Sequence, residues 1–134
     1  MDRKLAERLD RIEKAVTTIP PRVWYLQYRQ EIPSGKVVRQ TEYSPCNGTI
    51  QNALIQFPAG CMYLVEVKIY LGPRKIFPHT KEGIALDDAV KWFDIKVPVK
   101  KDDPIAVEWT NYDSDNPHTV PVVVSVVGYS GGEA

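Results

Sequence analysis

Two hydrophobic periods divide the chain. Over the first nineteen residues, apolar side chains fall at Leu5, Leu9, Ile12, Val16 and Ile19, in steps of four, three, four and three. This spacing predicts a helix over residues 1–19 with a heptad seam, Leu9 and Val16 at a and Leu5, Ile12 and Ile19 at d. Pro20 and Pro21 end it and stiffen its exit. From Arg22 the period becomes two. Strand-like runs, each bounded by turn residues, cover Arg22–Gln30, Val37–Tyr43, Thr49–Phe57, Cys61–Gly72, Lys75–Phe77, Val90–Val99, Pro104–Tyr112 and Thr119–Gly128. In the first, Trp24, Leu26 and Tyr28 share a face. The fourth and the last are the most apolar and belong mid-sheet, and Pro121 predicts a bulge or an edge segment in the last.

Strands without βα alternation predict a mainly β fold: an antiparallel β-sandwich or jelly roll of about eight strands behind one N-terminal α-helix. The expected organisation is a helix over 1–19, a Pro-Pro hinge at 20–21, a β-sandwich domain over 22–128 and a flexible tail over 129–134. After the helix, roughly 110 residues remain, enough for one sandwich core.

The seam is narrower than the apolar face of a helix packed on its own sheet. Arg8 at g and Glu13 at e carry opposite charges at positions that face each other across a parallel coiled coil. Arg3–Glu7, Glu7–Arg11 and Asp10–Lys14 add opposite-sign pairs along one helix. The residues expected to mediate oligomerisation are therefore Leu5, Leu9, Ile12, Val16, Ile19, Arg8 and Glu13. Ile at d with Leu at one a position favours trimers or tetramers over dimers, and a trimer is expected. The alternative is a monomer whose helix lies along one sheet. So short a seam holds few copies alone, so the β domains must share the contact. Val23, Trp24 and Tyr25, just past the prolines, are the expected assembly-contact residues.

Composition narrows the function. The 17 basic and 17 acidic residues balance, which argues against an electrostatic nucleic-acid binder. No apolar run approaches the ~20 residues of a membrane span. The charged start lacks the apolar core of a secretion signal, so synthesis in a cytoplasm is expected. Cys46 and Cys61 bracket a predicted strand. They are either reduced, partly buried thiols or a disulfide, and without an export signal the thiols are expected.

Chemistry-bearing constellations are sparse. His79 and His118 each follow a proline in a turn. Ser114, Asp115 and His118 crowd one loop, whereas triad members come from separate elements. Two cysteines and two distant histidines lack zinc spacing, and the end GYSGGEA lacks the lysine and helix of a P-loop. Asp113, Asp115 and Asn116 offer oxygens for an ion, but are also residues that build turns. No cofactor, metal or catalytic site is expected. Trp24, Trp92, Trp109 and the tyrosines leave a sugar-stacking face as an alternative.

The stretch FPAGCMYLVEVKIYLG, followed by EGIALDDAVKWFDIKVPVKKDDPIAVEWTNYDSDNPHTVPVVVSV, resembles small jelly-roll proteins of tailed-virus particles over roughly residues 57–127. The step Val99–Lys100–Lys101–Asp102–Asp103–Pro104–Ile105–Ala106–Val107 carries the likeness. It implies a non-enzymatic virion structural protein, such as a trimeric decoration protein cementing a capsid shell, with no catalytic residues to carry over. The expected partners are copies of itself and a larger protein lattice, not nucleic acid or membrane. The alternative is a carbohydrate- or cell-surface-binding sandwich module.

Overall fold

The computed structural model describes residues 20–129. The predicted helix, with Leu5, Arg8, Leu9, Ile12, Glu13, Val16 and Ile19, lies outside the described residues, as does most of the predicted tail. Ten strands follow: β1 (Arg22–Tyr28), β2 (Glu31–Ile32), β3 (Val37–Tyr43), β4 (Gly48–Phe57), β5 (Val65–Leu71), β6 (Arg74–Phe77), β7 (Ala89–Val99), β8 (Pro104–Asn111), β9 (His118–Thr119) and β10 (Val122–Gly128). Every pairing is antiparallel. Among the described residues no helix is long and apolar enough to cross a membrane.

The first sheet has the order β1-β10-β4-β7 and the second β3-β8-β5-β6, with β2 and β9 forming a small ribbon. Setting that ribbon aside, the first long strand pairs with the last, the second with the seventh, the third with the sixth and the fourth with the fifth. That is a long hairpin rolled over itself, the jelly-roll topology. As expected, β5 and β10 lie inside their sheets; β6 lies at an edge.

Alternation sets which residues the two sheets bury against each other. From the first sheet come Tyr28, Ile50, Ala53, Ile55, Phe57, Val122, Val124 and Val126; from the second come Val65, Val67, Ile69, Ile105, Val107 and Trp109. Polar groups inside this core cross between the layers. The Tyr28 hydroxyl donates to the Ile105 carbonyl at 2.7 Å, and Trp109 Nε1 donates to the Val120 carbonyl at 2.7 Å. Asn111 Nδ2 donates to the Ile32 and Asn116 carbonyls at 3.1 and 3.0 Å. Burial, then the Glu42 charge, push the Tyr28 phenol well above its ordinary range.

The structure departs from the periodicity in three places. The predicted strand from Cys61 begins only at Val65, because Met62 and Tyr63 take left-handed backbone with φ of 49° and 63°. Asp87 holds that turn, its Oδ1 accepting from the Gly60 and Met62 amides at 3.0 and 2.9 Å. Pro121 splits the last predicted strand into β9 and β10, and its carbonyl accepts the Gln56 amide. The short β2 was hidden between Gln30 and Pro33.

Cys46 and Cys61 are free, buried thiols. They flank opposite ends of the ten-residue β4, which spans about 33 Å, far beyond the ~7 Å limit for bridging Cα atoms. Cys46 sits where β4 and β10 come close: a Cβ on Gly128 would stand 2.6 Å from Cys46 Sγ, and one on Gly48 only 2.1 Å from the Val127 carbonyl oxygen. Burial raises both thiols above their ordinary value, with Asp87 adding to the effect at Cys61.

Replacing Tyr28 by Phe keeps the ring and removes the hydroxyl's bond to the Ile105 carbonyl. The expected loss is about 1–2 kcal/mol, read as a lower denaturant midpoint with an unchanged slope.

Candidate functional site

Pairing register separates the outer faces of the two sheets. On the second sheet, Arg39, Glu108 and Lys68 form one cross-strand row, and Thr110 and Glu66 adjoin the next. Arg39 Nη1 lies 3.6 Å from Glu108 Oε2. Its guanidinium also stacks over the Tyr70 ring at 4.6 Å, and the Tyr112 hydroxyl donates to Glu66 Oε2 at 2.9 Å. This face alternates in sign across its strands, as a solvated sheet face does.

The first sheet's outer face is of another kind. Its two middle strands, GTIQNALIQF and VVVSVVG, contain no Asp, Glu, Lys or Arg. Register places Val23, Val127, Thr49 and Pro98 in one row, Tyr25, Ser125, Asn52 and Asp94 in the next, and Gln27, Val123, Leu54 and Trp92 in a third. Beyond these, Gln56 pairs with Val90. None of Val23, Tyr25, Val123, Val127, Leu54, Trp92 or Val90 belongs to the buried core or packs against it. Four of them are large hydrophobics left open to solvent: Val23 at 47%, Tyr25 at 59%, Val90 at 62% and Trp92 at 56%. Ser125 and Asn52 bond to each other at the centre through the serine hydroxyl, so the middle of the face satisfies its own polar groups. Apolar rows thus flank a polar row of Ser125, Asn52 and Asp94 on a face whose middle strands carry no charge.

The expected assembly residues divide by alternation. Val23 and Tyr25 point outward onto this face. Trp24 points inward and packs against the core, with the Arg22 guanidinium 5.5 Å from its ring centroid. It is partly buried there. Trp109 is fully buried. Trp92, one of the tryptophans weighed for a sugar-stacking face, stands on the exposed face opposite Leu54. Its signal was legible: in VKWFDIKV the core positions are Phe93, Ile95 and Val97, which leaves Trp92 on the other side.

The remaining candidate residues serve the loops. Asp113 Oδ1 accepts the Asp115 amide at 2.9 Å and the Asn116 amide at 3.2 Å, while His118 Nε2 donates to Asp113 Oδ2 at 2.8 Å. The aspartate thus ties the turn from Asn111 back to β9, which fits the turn-building reading of Asp113, Asp115 and Asn116. The Asp115 amide bond, followed by His118, holds the Asp113 carboxyl down to about 2. Ser114 is not joined to this pair. His79 borders a shallow hollow with Arg74, Lys75, Ile76 and Val97. Asp87 is engaged by the Gly60 and Met62 amides. Among the described residues no group of three or more His, Cys, Asp or Glu is placed to hold a metal ion.

No family model matches the chain, and no curated protein matches it. Among solved structures, the crystal structure of FLHE aligns with 80% of this chain and 97% of its own, at 13% identity and a TM-score of 0.45. The structure of infectious bursal disease virus Gx strain aligns with 84% of this chain at 12% identity and a TM-score of 0.46. The crystal structure of the infectious bursal disease virus VP2 subviral particle does so over 84% at 15% identity and a TM-score of 0.44. This chain spans 33% of the length of each of those viral chains.

Because the folded carboxyl of Asp113 lies below its unfolded value of 3.8, its contribution is complete above about pH 4 and is lost as pH falls toward 2. Amide protection at Asp115 and Asn116 is expected to fall across that window. In Asp113→Ala, which removes the acceptor, it should be weak at every pH.

Proposed function

We propose that this protein is a non-enzymatic structural module that self-associates and docks on a larger protein assembly. The observation that carries this reading is the contrast between its two outer faces. One is laced with paired charges. The other is apolar, free of charge on both middle strands, and exposes Val23, Tyr25, Val90 and Trp92. Leaving such a face in water is unfavourable, at roughly 25 cal/mol for each Å² of apolar surface, and association removes that penalty.

The chemistry of the loops supports the same reading. Asp113 and His118 of the Asn111–Thr119 loop are engaged with each other, and Asp113 also accepts the loop's own amides. The cysteines are buried, with raised thiols that disfavour the nucleophilic thiolate. Sequence reasoning supplies the finer picture. The seam at Leu5, Leu9, Ile12, Val16 and Ile19 favours a trimer, and the resemblance over residues 57–127 to small jelly-roll proteins of tailed-virus particles suggests a capsid decoration role, with the virion as its location.

A sugar-binding module is the second reading, favoured by the exposed Trp92. Register places Leu54 across from it, Val90 and Asp94 beside it on β7, and Asn52 and Gln56 on the diagonals, with Asn52 already engaged by the Ser125 hydroxyl.

Native mass spectrometry or light scattering at micromolar concentration tests the proposal. A mass three times that of the 15.2 kDa chain is expected. A clean monomer overturns self-association.

A further inference from the structure

We infer that two unlike patches of this chain join its copies: the tip at Met62 and Tyr63 of one copy seats in the hollow at Ile76 and Val97 of the next. This deepens the proposed self-association and rests on it, and it names a contact apart from the outer face of the first sheet.

Met62 and Tyr63 are each 66% exposed, more than any other large hydrophobic among the described residues. Both stand on left-handed backbone, as do Gly60 and Asp88, whose φ angles are 101° and 46°. Such backbone is unfavourable for a methionine or a tyrosine, and it persists only where the surroundings hold it. Here they do. Cys61 is fully buried and roots the turn in the core. The Leu64 amide donates to the Cys61 carbonyl at 2.9 Å, and the Leu64 carbonyl accepts the Tyr112 amide at 2.7 Å. Asp87 clasps the Gly60 and Met62 amides. The turn is therefore fixed while its two large side chains face water. Preorganised anchors give up less freedom on contact. Tyrosine is enriched among residues that carry binding energy, and methionine adapts to the surface it meets.

The hollow lies at the other end of the sandwich. Register puts Val97 opposite Ile50, and Leu71 opposite both Arg74 and Ile105, near the Val99–Pro104 turn. The tip lies between Phe57 and Val65, so within one copy the two patches are apart. The hollow's volume is about 280 Å³. That falls below the roughly 300–1,000 Å³ of small-molecule sites and suits a single side chain. Ile76 and Val97 make it apolar, while Arg74, Lys75 and His79 rim it, and no described acid lines it. Lys75 Nζ donates to the Thr80 and Lys81 carbonyls and holds the following loop in place. The Arg74 and His79 side chains make no hydrogen bond or ion pair among the described residues.

Charge selects a second copy as the occupant. Acids surround the tip: Asp87 clasps it, Asp88 follows with its amide on the Pro58 carbonyl, and Glu66 accepts from the Tyr112 hydroxyl. Glu82 stands close enough for its charge to act on the same phenol. An acid-ringed aromatic tip and a base-rimmed hollow attract each other, whereas two tips or two hollows repel. Arg74 can also stack on a tyrosine ring at the hollow's mouth, as Arg39 stacks on Tyr70 within the chain. This chain carries both halves of the match. Because the halves are unlike, the contact is head-to-tail, the kind that a cyclic oligomer of more than two copies requires. A self-complementary patch alone stops at a pair.

The test uses the full chain. Tyr63→Asn removes the ring and keeps a residue that tolerates left-handed backbone. Arg74→Glu reverses the charge at the hollow. Tyr43→Lys, exposed on β3 away from both patches, is the control. An unchanged far-ultraviolet circular dichroism spectrum verifies folding. Native mass over a dilution series should show Tyr63→Asn and Arg74→Glu each associating roughly tenfold or more weakly than wild type, with Tyr43→Lys unchanged. An equal mixture of the two should form mixed dimers, the intact tip of one in the intact hollow of the other. If wild type assembles and either variant keeps the wild-type mass at every dilution, the inference is wrong and self-association stands. If wild type is a monomer throughout, both fall.

Discussion

The two-sided apolarity of β10 is the constraint on which the rest depends. A strand in a sandwich with one wet face alternates apolar with polar residues. In β10, Val122, Val124 and Val126 are fully buried against the second sheet, yet Val123 and Val127 point the other way. This strand closes the roll, lying between the chain's first strand and β4. Its inner valines set the core, and its outer valines create an apolar surface that the described fold leaves uncovered. Neighbouring β4 compounds the demand with Leu54 and an uncharged outer row. The same feature that completes the domain therefore asks for something beyond it.

The inner layer tolerates this because its polar groups are settled. Tyr28, Trp109 and Asn111 each send a side-chain donor to a backbone carbonyl, tying the layers and the β2–β9 ribbon together. Among the described residues no buried side-chain nitrogen or oxygen lacks a partner. The outer polarity is equally divided: Arg39, Glu108 and Glu66 keep the second sheet solvated, while Ser125 and Asn52 quiet the middle of the first. Both faces expose large hydrophobics, Val37 and Tyr43 on the second sheet as well as Tyr25 and Trp92 on the first, but only the first sheet's middle strands are free of charge.

Much of this was legible in the sequence. Val37–Tyr43 alternates cleanly and forms a strand with those bounds, and the first strand's Trp24, Leu26 and Tyr28 face the core as their spacing requires. The turn at Met62 and Tyr63 was not legible. Left-handed backbone is costly for such residues, and what holds it is Asp87, twenty-five residues away from Met62 in sequence. Nor could periodicity mark β2, whose two residues gain their pairing from β9. For the surface, the sequence grouped Val23, Trp24 and Tyr25 by proximity. Alternation splits that group, and the β7 edge with Trp92 joins it only through sheet order, a long-range fact. The chain before Pro20 carries the seam in its spacing alone.

The most direct test of the account follows the one tryptophan on the exposed face. Trp109 is fully buried and Trp24 packs on the core, whereas Trp92 is 56% exposed in the single chain. Tryptophan emission should shift to shorter wavelength as concentration rises through the association range, and the shift should vanish in Trp92→Phe. Emission from Trp92 that stays solvent-like at concentrations where the protein is fully assembled contradicts the claim that this face joins the copies.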